Sequence, residues 1–263
     1  MAPLSEPTPL LSVRALGVRF GGLQALAAVS FAIHRAELIG IIGPNGAGKT
    51  TLFHAMSGIV TPTQGSLVLD GVELTGRGPH IYCRHGVART FQTPRVFRSS
   101  TVLDNVAFGL RFARPRAADV QARARAWLAR VGLDEFAADA AGSLPPARQR
   151  LLEIAMALGT SPRLLLLDEV AAGLTETEAD HTAAIIAGLR QELGIAVVWI
   201  EHAVGKLMRT VDRMLVLNFG QLIADGPPAA VAADKRVIDA YLGVDSDDQT
   251  GADARRPGGG GAT

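Results

Sequence analysis

The chain has 263 residues, 48% of them hydrophobic, and a formal net charge of +1. That length can bury a sizeable core and holds one large domain or a core with a subdomain. The near-neutral balance excludes a disordered chain and a nucleic-acid binder driven by charge, and the single cysteine, Cys83, excludes an internal disulfide and points to a reducing compartment.

The first residues, "MAPLSEPTPLLSV", lack a basic segment followed by a long apolar run, so no signal peptide is expected. No stretch reaches the roughly 18 uninterrupted apolar residues that a membrane-spanning helix needs. Any membrane role has to act through partners. "LSVRALGVRFGG" and "LAAVSFAIHRAELIGIIG" alternate or run apolar at strand length. "SLVLDGVEL" predicts a hairpin around an Asp-Gly turn. The opening third is therefore strand-rich. From Val102 to Ala141 the composition shifts. There "AADVQARARAWLARVGL" places Val120, Ala124, Trp127, Leu128 and Val131 at helical spacing, with its arginines on a solvated face.

Next comes "SLPPARQR", which puts Pro145 and Pro146 at the entrance of the helix "LLEIAMAL". Residues without an N–H and with a fixed φ are tolerated in a first helical turn, and Ser143 is a candidate cap. Beyond Pro162 strands and helices alternate. "RLLLLDE" and "GIAVVWIE" read as buried strands, and "ETEADHTAAIIAGLRQEL" and "HAVGKLMRTV" as helices. "RMLVLNFGQLIADG" reads as a strand pair, and "PAAVAADKRVIDAYLG" closes the fold with helix. This order predicts an α/β fold whose parallel sheet is covered on both faces. The tail, residues 244–263, has little to bury and is expected to be disordered. No internal repeat is present.

Two local motifs carry chemistry. "GPNGAGKT" matches the phosphate-loop pattern G-x-x-x-x-G-K-[ST] and lies between the strand "ELIGII" and the helix start "TLFHAMSG". Gly43, Pro44, Asn45, Gly46, Ala47 and Gly48 form a curled loop whose N–H groups, with the helix N-terminus that runs through Lys49, Thr50 and Thr51, suit phosphate oxygens. Lysine occurs elsewhere only at Lys206 and Lys235, so Lys49 stands out in a chain whose default cation is arginine. It is placed to reach β- and γ-phosphates, and the Thr50 hydroxyl to bind Mg²⁺. The second motif is the acid pair Asp168-Glu169 at the end of "LLLLDE", the strand end where open α/β sheets bind ligands. Asp168 suits a Mg²⁺ role through water, and Glu169 suits a general base for the attacking water.

Phe20 in "VRFGG", Gln92 in "RTFQTPRVF" and His202 after "AVVWIE" complete an ordered set. Over residues 10–243 the chain resembles the nucleotide-binding subunit of ATP-binding cassette (ABC) transporters. "RFGGLQALAAVSF", "GVARTFQTPRVF", "STVLDNVAFG" and "VIDAYLG" are similar to the ATPase subunits of branched-chain amino-acid importers, with urea and amide importers as near relatives. The resemblance implies a P-loop ATPase core with an antiparallel β subdomain and a helical subdomain near residues 93–160. It implies ATP and Mg²⁺ as cofactors. Phe20 would stack on adenine. Gln92 would sense the γ-phosphate and Mg²⁺. His202 would hold the γ-phosphate and orient Glu169. The implied partners are membrane-spanning permease subunits and, indirectly, a periplasmic or extracellular solute-binding protein, with no nucleic acid. The implied location is peripheral, on the cytoplasmic face of the membrane.

The signature segment departs from the family's Leu-Ser-Gly-Gly-Gln, which completes the nucleotide site of the opposite subunit. Leu144 falls on Leu, Pro145 on Ser, Pro146 and Ala147 on the glycines, and Arg148 on Gln. One lost donor at a phosphoryl site costs about 3 kcal/mol of transition-state stabilisation. Arg148 is a candidate substitute donor. Val170 and Thr175 are smaller departures, the first from a usual proline and the second from a usual Asp or Asn. The intact phosphate loop beside a degenerate signature predicts a heterodimer with a second, different ABC ATPase subunit. A cassette ATPase of DNA repair or translation would carry paired cassettes or coiled-coil insertions, which are absent. A regulatory subunit without turnover would not need Glu169 and His202.

Overall fold

The computed structural model describes residues 8–113, 119–201 and 204–241. The tail expected to be disordered lies outside these residues. In chain order, β1 (Leu11–Phe20) and β2 (Leu23–Ile33) form an antiparallel hairpin, and β3 (Leu38–Ile42) runs through the phosphate loop into α1 (Lys49–Met56). β4 (Gln64–Leu69) pairs with β1 and turns through Asp70-Gly71 into β5 (Val72–Glu73). Both turn residues have positive φ, 52° and 81°, as a two-residue hairpin turn requires. Then follow α2 (Pro79–Arg84), β6 (Val87–Arg89), α3 (Val102–Leu110), α4 (Val120–Arg130) and α5 (Pro146–Gly159). The chain closes with β7 (Leu164–Asp168), α6 (Glu176–Leu193), β8 (Ala196–Ile200), α7 (Val204–Thr210), β9 (Arg213–Asn218), β10 (Gln221–Gly226) and α8 (Pro228–Ala232), with helix again over 235–241.

Two sheets result. The antiparallel one has the order β2-β1-β4-β5 and the larger one β10-β9-β3-β8-β7-β6. Every pairing in the larger sheet is parallel except the β9–β10 hairpin. β3, β7 and β8 are buried at every position, as strands covered on both faces must be. Side-chain alternation sorts their residues into two cores. Ile39, Ile41, Leu164, Leu166, Val198 and Ile200 face the antiparallel sheet and α1, while Leu38, Ile42, Leu165, Leu167, Val197 and Trp199 face the helices.

α3, α4 and α5 pack on one another and fall within the 93–160 span. The predicted helix "AADVQARARAWLARVGL" is observed from Val120, with Ala124, Trp127 and Leu128 buried and Arg125 and Arg130 exposed. A Cβ at Gly109 of α3 would collide with the Met156 carbonyl oxygen of α5, so this glycine sets their close approach. Side-chain caps start α3 and α4, from Thr101 to the Asp104 N–H and from Asp119 to the Ala122 N–H. α6 opens with a capping box between Thr175 and Glu178. Thr175 thus keeps the capping role open to an Asp or Asn at this position.

The start of α5 differs from one expectation. Pro145 and Pro146 do occupy the entrance, and α5 begins at Pro146. Ser143 does not cap it, because its hydroxyl donates instead to the Ala140 carbonyl at 2.8 Å, within a short 3-10 turn of its own. The Gln149 side chain reaches back to the Leu144 carbonyl at 2.8 Å.

Leu166 is fully buried at the centre of β7. Leu166→Ala should lower unfolding stability by about 2–5 kcal/mol, measured by chemical denaturation. A loss under about 1 kcal/mol would show that this core collapses around the cavity.

Candidate active site

The site is built at the carboxyl ends of β3, β6 and β7. The phosphate loop leaves β3 after Ile42 and enters α1 through Gly48, whose φ of +100° lies in the left-handed region. A Cβ there would stand 2.7 Å from the Ala25 carbonyl oxygen, so only glycine lets the loop lie against β2. The β9–β10 turn clasps it from the other side. The Gly220 N–H donates to the Ala47 carbonyl at 3.0 Å, and the Ala27 N–H to the Gly220 carbonyl at 2.8 Å.

Lys49 is buried, and its Nζ donates to the carbonyls of Gly43 at 2.7 Å and Pro44 at 3.0 Å. Burial lowers its pKa below the ordinary lysine value, against the opposing fields of Glu169 and Asp168. The loop forms the floor of a cleft of about 480 Å³, a size usual for small-molecule sites. Asn45, Gly46, Ala47, Gly48, Lys49, Thr50 and Thr51 line it, together with Phe20, Gln92 and Glu169. Gly43 and Pro44 lie beneath it and supply the carbonyls that Lys49 grasps.

The acid pair divides as two environments dictate. Asp168, at the end of β7, is buried and pairs with Arg89 Nη2 at 3.1 Å, and its own N–H donates to Thr90 Oγ1 at 3.1 Å. Glu169 leaves the strand in the left-handed region, φ +50°, a strained conformation for a residue with a Cβ. Its N–H donates to the Ile200 carbonyl at 3.0 Å, and its Oε2 accepts from Gln92 Nε2 at 2.7 Å. Of the residues picked from sequence, Phe20, Asn45 to Thr51, Gln92 and Glu169 line this one cleft, whereas Asp168 is not among its lining residues. His202 lies outside the described residues.

The cleft fits a nucleotide by its loop, buried cation and apolar end. The oxygens of Thr50 and Gln92, which line the cleft, fit Mg²⁺, which keeps much of its shell as water and phosphate oxygens, and Asp168, paired with Arg89, would act on it through water. Among the described residues no cluster of three or more His, Cys, Asp or Glu could hold a metal alone.

Several participants were not apparent in the sequence. Phe219, at the β9–β10 turn and 85% exposed, also lines the cleft. An aromatic at the tip of "LNFGQ" is the only signal it leaves. Glu153, in the apolar face of "LLEIAMAL", accepts the N–H groups of Phe91 at 3.3 Å and Arg95 at 2.9 Å. The guanidinium groups of Arg89 and Arg95 both pack on the Phe91 ring, 4.7 and 4.1 Å from its centroid. Glu201 accepts the N–H of Ala171 at 2.7 Å and holds the turn after the acid pair. Arg148, the candidate phosphate donor, holds its guanidinium over the Phe136 ring, 4.0 Å from its centroid.

The family model described as "ABC transporter" matches residues 26–172, more than half of the chain. The chain belongs to the ABC transporter family. It is an ABC-type ATPase with the α/β cassette fold. A second model, "Branched-chain amino acid ATP-binding cassette transporter", matches residues 221–247. The chain is 40% identical over 250 residues to the high-affinity branched-chain amino acid transport ATP-binding protein BraF of Pseudomonas aeruginosa, covering 89% of this chain and 98% of that one. It is 40% identical over 253 residues to LivG of Escherichia coli strain K12, which carries the same description, with the same coverage. Among solved structures, the ADP conformation of an ATP-binding cassette of an ABC transporter superposes with a TM-score of 0.81 at 27% identity, covering 90% of this chain and 100% of that one. No helix among the described residues is long and apolar enough to cross a membrane.

Burial pushes the Glu153 carboxyl up to about 7, against the Phe91 and Arg95 N–H groups and the charges of Arg150 and Arg89. A raised carboxyl pKa means the folded chain favours the protonated form. Glu153 therefore contributes stability in acid that is lost as pH rises through about 7. The melting temperature of the chain, measured against Glu153→Gln, should fall between about pH 5 and pH 8. A pH-independent difference would contradict a burial-driven shift.

Proposed function

We propose that this chain binds and hydrolyses ATP to power import of branched-chain amino acids, through permease subunits that dock on its helical region, residues 93–160. The chemical part rests on one observation, the 2.7 Å bond between Gln92 and Glu169 in the same cleft as Lys49. The solute rests on the two relatives at 40% identity that span nearly the whole chain. The chain would sit peripherally on the cytoplasmic face of the membrane. A solute-binding protein outside would act on it only through the permease.

In this reading the loop N–H groups from Gly46 to Thr51 bind the phosphates. Lys49 exchanges the Gly43 and Pro44 carbonyls for β- and γ-phosphate oxygens, and a cation already depressed by burial regains an anionic partner. Phe20 stacks on adenine, with Phe219 adding apolar surface. Thr50 and Gln92, with Asp168 acting through water, would hold Mg²⁺, which when bound would supply positive charge to the phosphate oxygens. Glu169 takes a proton from a water whose oxygen bonds to the γ-phosphorus as the bond to the β-bridging oxygen breaks. Gln92 holds the Glu169 carboxylate in line, and His202 orients the same water and the γ-phosphate.

The signature segment carries the second part of the reading. Pro145 and Pro146 offer no N–H, and Arg148 is engaged on Phe136. The intact site at Lys49 and Glu169 would be completed by the signature of a different ATPase subunit, so the working unit is a heterodimer.

ATP turnover of the assembled transporter should rise with leucine, isoleucine or valine. Glu169→Gln should cut that turnover by about 10²- to 10⁴-fold while ATP affinity stays within a few-fold. Stimulation by urea alone would sink the solute assignment, and undiminished turnover would sink the role of Glu169. In the heterodimer, replacing the partner's matching glutamate should cost far less than Glu169→Gln. Equal losses from the two changes would refute the asymmetric assembly.

A further inference from the structure

α5 begins at the signature segment and carries two charged residues three positions apart, Arg150 and Glu153, on one face. Glu153 is 5% exposed. Its Oε2 accepts the Phe91 N–H at 3.3 Å and its Oε1 the Arg95 N–H at 2.9 Å. One carboxylate thus ties together the backbone on both sides of Gln92. Arg150 takes hold of the peptides themselves. Its Nη1 donates to the Gln92 carbonyl at 3.2 Å and to the Glu169 carbonyl at 3.0 Å, and its Nη2 donates to the Ala172 carbonyl at 2.9 Å. Gln92 and Glu169 then meet through their side chains at 2.7 Å.

A buried carboxylate is costly, and an arginine fork satisfied by three carbonyls is a specific arrangement. An apolar residue at 153 would serve the core better, since its neighbours Leu152, Ile154 and Ala155 are buried hydrophobics. What Glu153 adds is an address for two amides that flank one side chain. What Arg150 adds is a link from that side chain's peptide to the peptide of Glu169.

We propose that Arg150 and Glu153 are positioning residues for the Gln92–Glu169 pair. Through them, a shift of the signature end of α5 changes the alignment of the group that activates water. This rests on the roles given above to Gln92 and Glu169. Neither positioning residue lines the cleft, so both should act on turnover more than on binding.

The test is a double-mutant cycle on the full chain assembled in its transporter, with steady-state ATP kinetics for wild type, Glu153→Gln, Gln92→Ala and the double variant. Glutamine at 153 presents an NH₂ to one of the two N–H groups it must accept. The expected result is a fall in kcat of about tenfold with KM changed less than about twofold. In the Gln92→Ala background the same change should alter kcat by less than about twofold, because the two substitutions remove one device. Hydrogen exchange at the amides of Phe91 and Arg95 should quicken in Glu153→Gln while the rest of the chain exchanges as wild type. Arg150→Lys replaces a fork by a point charge. It should give the same non-additive pattern with Gln92→Ala, and it decides the matter alone if Glu153→Gln does not fold. Defects that multiply fully with a slow Gln92→Ala overturn this inference only, as does a KM effect with unchanged kcat. Unchanged turnover in Gln92→Ala overturns the role of Gln92, and this inference with it.

Discussion

The hydrogen bond from Gln92 to Glu169 joins segments 77 residues apart, and the register of the parallel sheet makes it possible. Leu166 of β7 lies opposite Arg89 of β6, and Asp168 lies opposite Ile200 of β8. One more step of the ladder on each side brings the Thr90 N–H to the Leu166 carbonyl and the Glu169 N–H to the Ile200 carbonyl. A slip of one residue would turn every side chain of β7 to the other face. Asp168 and Glu169 would then exchange sides, and leucines would occupy the cleft.

The charges near this bond are kept in balance at low exposure. Lys49 and Arg89 stand close to Asp168 and Glu169, and the Arg89–Asp168 pair is almost completely buried. Such a pair is a doubtful source of stability, because desolvation offsets attraction. Its worth lies in orientation. Arg89 also donates to the Ser57 hydroxyl and the Thr90 carbonyl, so it fixes Asp168 relative to the end of α1 and the start of the Gln92 segment. Phe91, with Arg89 and Arg95 packed on its ring, stiffens the same stretch.

The parts of the site that were legible in the sequence are those written locally. The phosphate loop needs glycine for its backbone and lysine for its charge within eight residues, and the acid pair ends an unbroken run of four leucines. Strand and helix order followed from hydrophobic period for the same reason. What could not be read were contacts across 19 to 62 residues. The grip of Glu153 on Phe91 and Arg95, and of Arg150 on Gln92 and Glu169, leaves no spacing to detect. A lone glutamate in an apolar helix face was the only trace. The Ser143 cap failed because a closer carbonyl, that of Ala140, competed for its hydroxyl.

The two prolines at the head of α5 act in the denatured chain as well as in the folded one. Each locks its own φ, and Pro146 also confines Pro145 to an extended ψ, observed at 154°. Less chain entropy is therefore surrendered when this segment folds. The segment has exchanged hydrogen-bonding capacity for stiffness. The entrance of α5 is therefore already shaped for its first turn before the rest of the helix forms.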